Sequence, residues 1–490
     1  MGDIWNAAGL LWSWLLEHLL VVNMVLTVGI IFFQRRDPKS VWTWLLAIYF
    51  IPVFGVAFYL LFGQDMKKSR MFRVKEVEDR LKYPIRRQEA VIRLEQDLNQ
   101  EREAGGDYGR LALYNLESSG SVLTLHNQVE IFTDGQEKFE ALRRALREAR
   151  RFIHIQYYII KNDEVFDSII PILKKKVKEG VEVRILYDGM GGRFMPKRRW
   201  QELSAAGVRV GVFFPPFLGW LNLRVNYRNH RKIVIIDGDT GFVGGFNIGR
   251  EYISKDPKFG YWRDTHLKIT GEGALSLQIR FALDWNYATG ENLFKEARYF
   301  EGGGQGNGGV QLQIIASGPD TREPHVRNNY LELFHRARSH IYIQTPYFIP
   351  DEAVFSALKV AAQSGVDVRL MIPCKPDHPF VYWATCSYAG ELLDYGARCY
   401  IYENGFLHSK GVMVDGEVCC YGTANMDIRS FELNFEVNAT IYDSAVTRRL
   451  EQAFMDDLPR CRELTREEYG RRGMWMRLKE QCSRLLSPLL

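Results

Sequence analysis

His230-Arg231-Lys232 leads through an apolar stretch, Ile233 to Ile236, into Asp237, and His408-Ser409-Lys410 leads through Gly411 to Val414 into Asp415. In each copy a glycine follows the histidine by fourteen residues (Gly244, Gly422) and an asparagine by seventeen (Asn247, Asn425). A chain that repeats a motif together with its tail is built from two related halves, and each half carries half a site.

Strand geometry explains the spacing. Histidine and lysine two residues apart on a strand point to one face, and the apolar residues that follow read as buried strand. Asp237-Gly238 and Asp415-Gly416 are turn dipeptides, each followed by another apolar run, Phe242-Val243 or Val418 to Tyr421, so each motif predicts a β-hairpin. Centring the turn near Gly238 predicts Asn247 opposite His230, and the same folding predicts Asn425 opposite His408. Each half then offers an imidazole, an ammonium and an amide to one spot, with Gly244 and Gly245 leaving room for a tetrahedral group.

These groups suit a phosphodiester. Imidazole is nucleophilic near neutral pH and also carries protons, whereas lysine and asparagine donate hydrogen bonds and stabilise developing charge. Two histidines let one attack phosphorus while the other protonates the leaving alcohol and then deprotonates the incoming one. Neither hairpin brings the His, Cys and carboxylate cluster of a metal site. The pattern predicts metal-independent phosphoryl transfer through a phosphohistidine, with no cofactor.

The repeat extends beyond the motifs. Ile153-His154-Ile155-Gln156-Tyr157-Tyr158 is matched by Ile341-Tyr342-Ile343-Gln344-Thr345-Pro346, and Gly180-Val181-Glu182-Val183-Arg184 by Gly365-Val366-Asp367-Val368-Arg369. Between them lie helical stretches, Val165 to Lys178 and Ala353 to Gln363, so each half alternates strand and helix as an α/β unit does. The repeat predicts pseudo-two-fold packing with both hairpins at the seam. Tyr157, Tyr158 and Tyr347 are either substrate contacts or core; His154, His266 and His378 have no repeated context and read as structural.

The paired motifs resemble the phospholipase D superfamily. Gly422-Thr423-Ala424-Asn425-Met426-Asp427-Ile428-Arg429-Ser430-Phe431 with Leu433-Asn434-Phe435-Glu436-Val437-Asn438 is similar to its bacterial cardiolipin synthases, as are Thr345 to Glu352, the terminal Leu486 to Leu490 and Arg35-Arg36-Asp37-Pro38. The resemblance covers nearly the whole chain. It implies two pseudo-two-fold-related phospholipase D-like α/β/α sandwich units that transfer a phosphatidyl group from one phosphatidylglycerol to another, giving cardiolipin and glycerol. It further implies that a downstream acidic residue orients the histidine of the other half, pairing His230 with Glu436 and His408 with Asp264. Asp237 and Asp415 then support the hairpins. Related enzymes favour the first histidine as nucleophile. Gly249-Arg250-Glu251 departs from Asp427-Ile428-Arg429, so that flank does not map; Arg429 is open to two roles, holding a lipid phosphate or an internal ion pair.

Two apolar stretches precede the catalytic halves. Val41 to Phe62 is uncharged and of spanning length, and Leu19 to Phe33 reaches it only if extended back past Glu17 and His18. A signal peptide wants basic residues before its apolar core and small residues after it, and Arg35-Arg36 follows instead. The expectation is two N-terminal transmembrane helices, about 9–33 and 41–62, within an anchor over 1–65; an interfacial or re-entrant helix stays open for the first. The basic run Lys67, Lys68 and Arg70 favours a cytoplasmic catalytic domain on a multi-pass protein of the cell membrane.

The remaining boundaries follow from composition: a charged connector over 66–118, the first unit over 119–300, a Gly-rich linker over 301–309, the second unit over 310–465 and a helical tail over 466–490. Before His230 the first half inserts Phe213-Phe214-Pro215-Pro216-Phe217-Leu218-Gly219-Trp220-Leu221, either a lipid-facing element or a packed loop. In the tail, Trp475 and Met476 are expected to pack on the body rather than touch the bilayer. Seven cysteines, Cys419 and Cys420 adjacent among them, fit a reduced compartment better than a disulfide framework. A net charge of +5 suits anionic headgroups, and no concentrated basic stripe points to nucleic acid. Water or another alcohol as acceptor, and an inactive membrane scaffold, remain the alternatives to a synthase.

Overall fold

A computed structural model describes residues 21, 23–25, 27–28, 38–50, 108–193, 195–215, 227–301, 308–321 and 323–487. The chain divides into two compact units, Met1–Ser69 with Phe217–Tyr227, and Arg70–Pro216 with Arg228–Leu490. In the first, the helix Pro38–Phe50 receives a hydrogen bond on the Ile48 carbonyl from Asn23 Nδ2 at 3.4 Å. Among the described residues no helix is long and apolar enough to cross a membrane. Most of the two expected spans, the connector up to residue 107, the insertion from Pro216 to 226 and the linker over 302–307 lie outside the described residues.

The second unit holds both halves. The first contributes β1 (Thr124–Phe132), β2 (Phe152–Tyr157), β3 (Glu182–Asp188), β4 (Arg209–Phe213), β5 (Arg228–Asn229), β6 (Ile233–Ile236), β7 (Thr240–Gly244), β8 (Trp262–Arg263) and β9 (His266–Gly271). The second contributes β10 (Val310–Ser317), β11 (His340–Gln344), β12 (Phe348–Ile349), β13 (Asp367–Pro373), β14 (Arg398–Tyr402), β15 (Phe406–Leu407), β16 (Gly411–Val414), β17 (Val418–Gly422), β18 (Met426–Asp427), β19 (Asn434–Ile441) and β20 (Cys461–Leu464).

The halves do not form two separate sandwiches. They share one sheet in the order β20-β14-β13-β11-β16-β17-β19-β10-β1-β9-β7-β6-β2-β3-β4. Read outward from the antiparallel β10–β1 pair, β19, β17, β16, β11, β13 and β14 on one side mirror β9, β7, β6, β2, β3 and β4 on the other. The pseudo-two-fold therefore holds, but β1 and β10 make the seam and the motif hairpins stand two strands out.

Apolar runs buried on both faces need helices above and below, and the crossovers supply them. The helices Glu164–Lys178 and Glu352–Gln363 start on Asp163 and Asp351, whose carboxylates accept from Val165 N and Val354 N. Each half has its own core, around Phe166, Ile169, Ile185 and Val234 in the first, and around Leu333, Ile343, Leu358 and Val412 in the second.

Tyr108–Ser119 is a helix that buries Leu111 and Leu116, and Asn115 Nδ2 donates to Asn329 Oδ1 at 2.9 Å. Just before the tail, β20 pairs antiparallel with β14. All seven cysteines are free thiols.

Candidate active site

Both motifs fold as hairpins. Ile233 faces Val243 in the first and Gly411 faces Tyr421 in the second, with the turns at Asp237-Gly238 and Asp415-Gly416. Both aspartates take the left-handed conformation at φ 56°, which Asp tolerates better than most residues. Their carboxylates face away from the histidines. Asp237 accepts the backbone N–H groups of Arg150 and Arg151 at 2.7 Å and Phe152 at 2.9 Å; Asp415 accepts those of Arg338, Ser339 and His340 at 2.8 Å. Each thus ties its turn to the start of the neighbouring β2 or β11.

The histidines are held across the halves. His230 N donates to the Phe435 carbonyl at 3.0 Å, and His408 N to the Arg263 carbonyl at 2.7 Å, where β5 pairs with β19 and β15 with β8. Phe435 precedes Glu436 and Arg263 precedes Asp264, so the same strand pairing delivers each carboxylate to its ring. His230 Nδ1 lies 2.9 Å from Glu436 Oε1, and His408 Nδ1 lies 2.6 Å from Asp264 Oδ2. Lys232 Nζ donates to the His230 carbonyl at 2.6 Å, and Lys410 Nζ to the His408 carbonyl at 2.5 Å. An ammonium anchored by one of its three hydrogens keeps two for a phosphate oxygen.

Three expectations about the hairpin tails need correction. The observed register, continued, brings Asn247 level with Asn229 rather than His230, and the first ladder ends at the Ile233–Val243 pair. Asn247 is spent on the scaffold: its Oδ1 accepts from Ile159 N at 3.1 Å and its Nδ2 donates to Tyr252 Oη at 3.0 Å. Gly244 and Gly245 do not open space for phosphate. A Cβ on Gly245 would stand 1.9 Å from Asp264 Oδ1, so the missing side chain makes room for the carboxylate. The second register, continued from Gly411–Tyr421, likewise brings Asn425 level with Leu407 rather than His408; Asn425 is buried like Asn247, but its Oδ1 has no partner.

Comparison with known proteins bears on the same residues. The family model described as "Cardiolipin synthase, PLD-like domain" matches residues 142–257 and 330–458, and one described as "Phospholipase_D-nuclease N-terminal" matches 21–64. The cardiolipin synthase of Staphylococcus aureus is 47% identical over 474 residues, 96% of this chain and 95% of the relative. The chain belongs to the cardiolipin synthase family. The major cardiolipin synthase ClsA of Bacillus subtilis is likewise 47% identical, over 98% of this chain and 99% of its own. Among solved structures, the phosphatidylserine synthase of Haemophilus influenzae aligns with a TM-score of 0.59 at 16% identity, covering 78% of this chain and 99% of that one, which establishes the shared fold.

In this member of the family the two centres are not equivalent. Around His230, Glu436 accepts from Thr423 Oγ1 at 2.6 Å and from Asn434 Nδ2 at 3.2 Å, which leaves the buried Asn434 Oδ1 without a partner. Tyr158 stands edge-on to the imidazole at 5.2 Å between centroids. Around His408 the wall is aromatic: Trp262 at 5.0 Å, Phe406 at 6.0 Å and Tyr252 at 6.3 Å. The motifs do not point to Thr423, Asn434 and Trp262. The signal was there in part, because Asn434 and Trp262 lie two residues before the carboxylates and so share their strand face. Of the other tyrosines, Tyr157 is core and accepts from Lys138 Nζ at 2.9 Å, and Tyr347 donates to Asp377.

Burial dominates the electrostatics. It brings His230 down to about 4, with the Glu436 carboxylate opposing and the Lys232 ammonium adding to the effect. It brings His408 to about 4 as well, where Lys410 adds and Asp264 opposes. Burial also lowers Lys232 to about 7 and Lys410 to about 8. It pushes the Glu436 and Asp264 carboxylates up, but the facing histidines and lysines outweigh it and hold both below the usual range. At neutral pH each pair is thus a neutral imidazole donating through Nδ1 to a carboxylate, and Nε2 is left with its lone pair.

Proposed function

We propose that the protein makes cardiolipin from two phosphatidylglycerol molecules through a phosphatidyl-histidine intermediate, with no metal ion and no cofactor. The observation that carries this is the crossed pairing, in which each half supplies the carboxylate that orients the other half's histidine. It supports one centre with two imidazoles, each with a free Nε2.

Following the family pattern, His230 is the nucleophile. Its Nε2 attacks phosphorus, the bond from phosphorus to the headgroup glycerol oxygen breaks, and protonated His408 gives that oxygen a proton. His408 is neutral in the free protein, so a proton must arrive with substrate; the phosphodiester anion offsets the two ammonium groups and raises the imidazole. In the second step the terminal hydroxyl of another phosphatidylglycerol gives its proton to His408 and its oxygen to phosphorus, and the P–N bond breaks. Two phosphatidylglycerols become one cardiolipin and one glycerol, with no net proton change. Lys232 and Lys410 hold the non-bridging oxygens, and the unpartnered Asn425 and Asn434 oxygens accept from glycerol hydroxyls.

In this reading the stretches 9–33 and 41–62 anchor the chain in the cell membrane. The catalytic body then faces the cytoplasm, a placement supported by Lys67, Lys68 and Arg70 after the second stretch. Purified protein given phosphatidylglycerol alone is expected to release cardiolipin and glycerol in equal amounts. Phosphatidic acid as the main product would overturn the transferase in favour of a hydrolase.

A further inference from the structure

The helix Met474–Leu485 is turned inside out. A helix on a protein surface ordinarily buries its apolar stripe and exposes its polar one. Here the inward residues are Glu480, Ser483 and, just past the helix end, Ser487, all at most 3% exposed. The outward ones are Met474, Trp475, Leu478 and Leu485, exposed by 79, 73, 51 and 82%. Polar contacts hold it this way round: Arg472 Nε to Glu480 Oε2 at 2.8 Å and Arg484 to Glu391 at 2.5 Å. The helix packs on Pro379–Leu392, where Lys479 Nζ sits 5.1 Å over the Trp383 ring. The expected packing of Trp475 on the body is therefore overturned.

Single exposed apolar residues need no explanation, but spacings of three, four and seven along one helix face make a continuous stripe. Phe380, half exposed and 5.5 Å from Trp383 between ring centroids, extends it onto the neighbouring helix. Residues 471–487 carry five Arg and Lys against one Glu, and that Glu faces inward. An apolar stripe with an interfacial Trp and a basic rim fits an anionic bilayer surface. The patch also begins near the centre. Phe380 comes three residues after Asp377, which accepts from Tyr347 and acts on Lys410 through space.

We infer that the face formed by Met474, Trp475, Leu478, Leu485 and Phe380 docks the catalytic body on the surface of an anionic bilayer. This contact is separate from the N-terminal anchor and sets the mouth of the second half-site at the lipid surface. It does not depend on which alcohol accepts the phosphatidyl group.

The test uses full-length protein, as wild type and as the W475S/L478S/L485S variant, whose changed side chains all point to solvent. In vesicles of phosphatidylglycerol the variant is expected to turn over about tenfold slower, the scale of a few lost interfacial side chains. In detergent micelles that present substrate without a bilayer it should match wild type. Brominated-chain phosphatidylglycerol should quench a component of the tryptophan emission that W475F lacks, and brominated phosphatidylcholine should quench it less. Equal rates in vesicles would overturn the inference, as would an equal loss in micelles, which marks a structural role. A fall in oligomeric mass on substitution with vesicle turnover intact would assign the face to a second copy of the chain instead.

Discussion

His230 Nδ1 and Glu436 Oε1 are 2.9 Å apart although 206 residues separate them in the chain, and His408 and Asp264 repeat the relationship in the opposite direction. Each carboxylate is held ionised, so it fixes the tautomer that keeps Nε2 unprotonated and, in the proposed mechanism, stabilises the imidazolium that forms during transfer. E436Q and D264N keep shape and lose that charge. Each is expected to lower kcat by about a hundredfold or more, within the range for such groups, with KM little changed. Steady-state kinetics in one lipid system, with melting curves to confirm folding, decide it; a pure KM effect would show that the carboxylates serve binding.

The motif aspartates should behave differently. Asp237 and Asp415 each accept three backbone N–H groups and reach neither motif histidine, so D237A or D415A strips partners from a turn and places alanine at φ 56°. The expected cost is about 1–3 kcal/mol of stability per site. Turnover per folded molecule should stay within a few fold. Denaturant titration set beside active-site counting separates the two, and a large drop in intrinsic turnover at full stability would return these residues to the chemistry.

The pH dependence follows from the lysines. In the free protein Lys232 loses its proton near pH 7 and Lys410 near 8, and only an ammonium neutralises phosphate oxygens, so kcat/KM should fall as pH rises through that window. K232R keeps its charge at any working pH and should move the alkaline limb upward while lowering the plateau. Stability has the opposite limb. The unfolded chain protonates both histidines below 6.5 whereas the folded chain resists to about 4, so the stability the histidines contribute is full above pH 6.5 and is lost as pH falls toward 4. A kcat/KM profile flat from pH 6 to 9 would contradict the lysine assignment.

Removing divalent ions should change little. In the proposed mechanism two ammonium groups and two imidazoles supply the charge and the proton transfers that a metal ion provides in other phosphoryl-transfer enzymes. The rate in excess chelator is expected to stay within about twofold of the untreated rate, a change smaller than 0.5 kcal/mol. A collapse that added magnesium or calcium restores would place an ion in the reaction.

Local pattern carried much of this structure into the sequence. The hairpins, the crossover helices and the pseudo-two-fold could be read because strand and helix periods and turn dipeptides act over short distances. The shared sheet could not, because β1 and β10 pair only through the tertiary fold. The crossed pairs His230–Glu436 and His408–Asp264 came from family resemblance, and the geometry shows both contacts. The role given to Asn247 failed on register, since a half-residue error in centring the turn moves every cross-strand partner by one. The exposed face of Trp475 was missed because the pattern shows that a helix has an apolar stripe without showing which way it turns.

The two carboxylates approach motif positions that differ, and the difference predicts opposite responses to substitution. Beside Asp264 the motif has Gly245; beside Glu436 the corresponding residue is Thr423, whose hydroxyl donates to Glu436 Oε2 at 2.6 Å. A methyl on Gly245 would stand 1.9 Å from Asp264 Oδ1, well inside contact distance, and Asp264 is fully buried. G245A should therefore push Asp264 off His408 and abolish turnover much as D264N does. The longer Glu436 tolerates a side chain at its own site, so T423S should be nearly silent. T423V removes the hydroxyl that donates to Glu436 and accepts from Val437 N at 2.9 Å, so it should raise the Glu436 carboxyl and cost about 1–3 kcal/mol of transition-state or folded-state stability for the polar groups left with one partner fewer. The contrast between G245A and T423S, measured as kcat for cardiolipin formation on equally folded protein, tests whether close packing at the first carboxylate and hydrogen bonding at the second are what keep the two pairs apart in function.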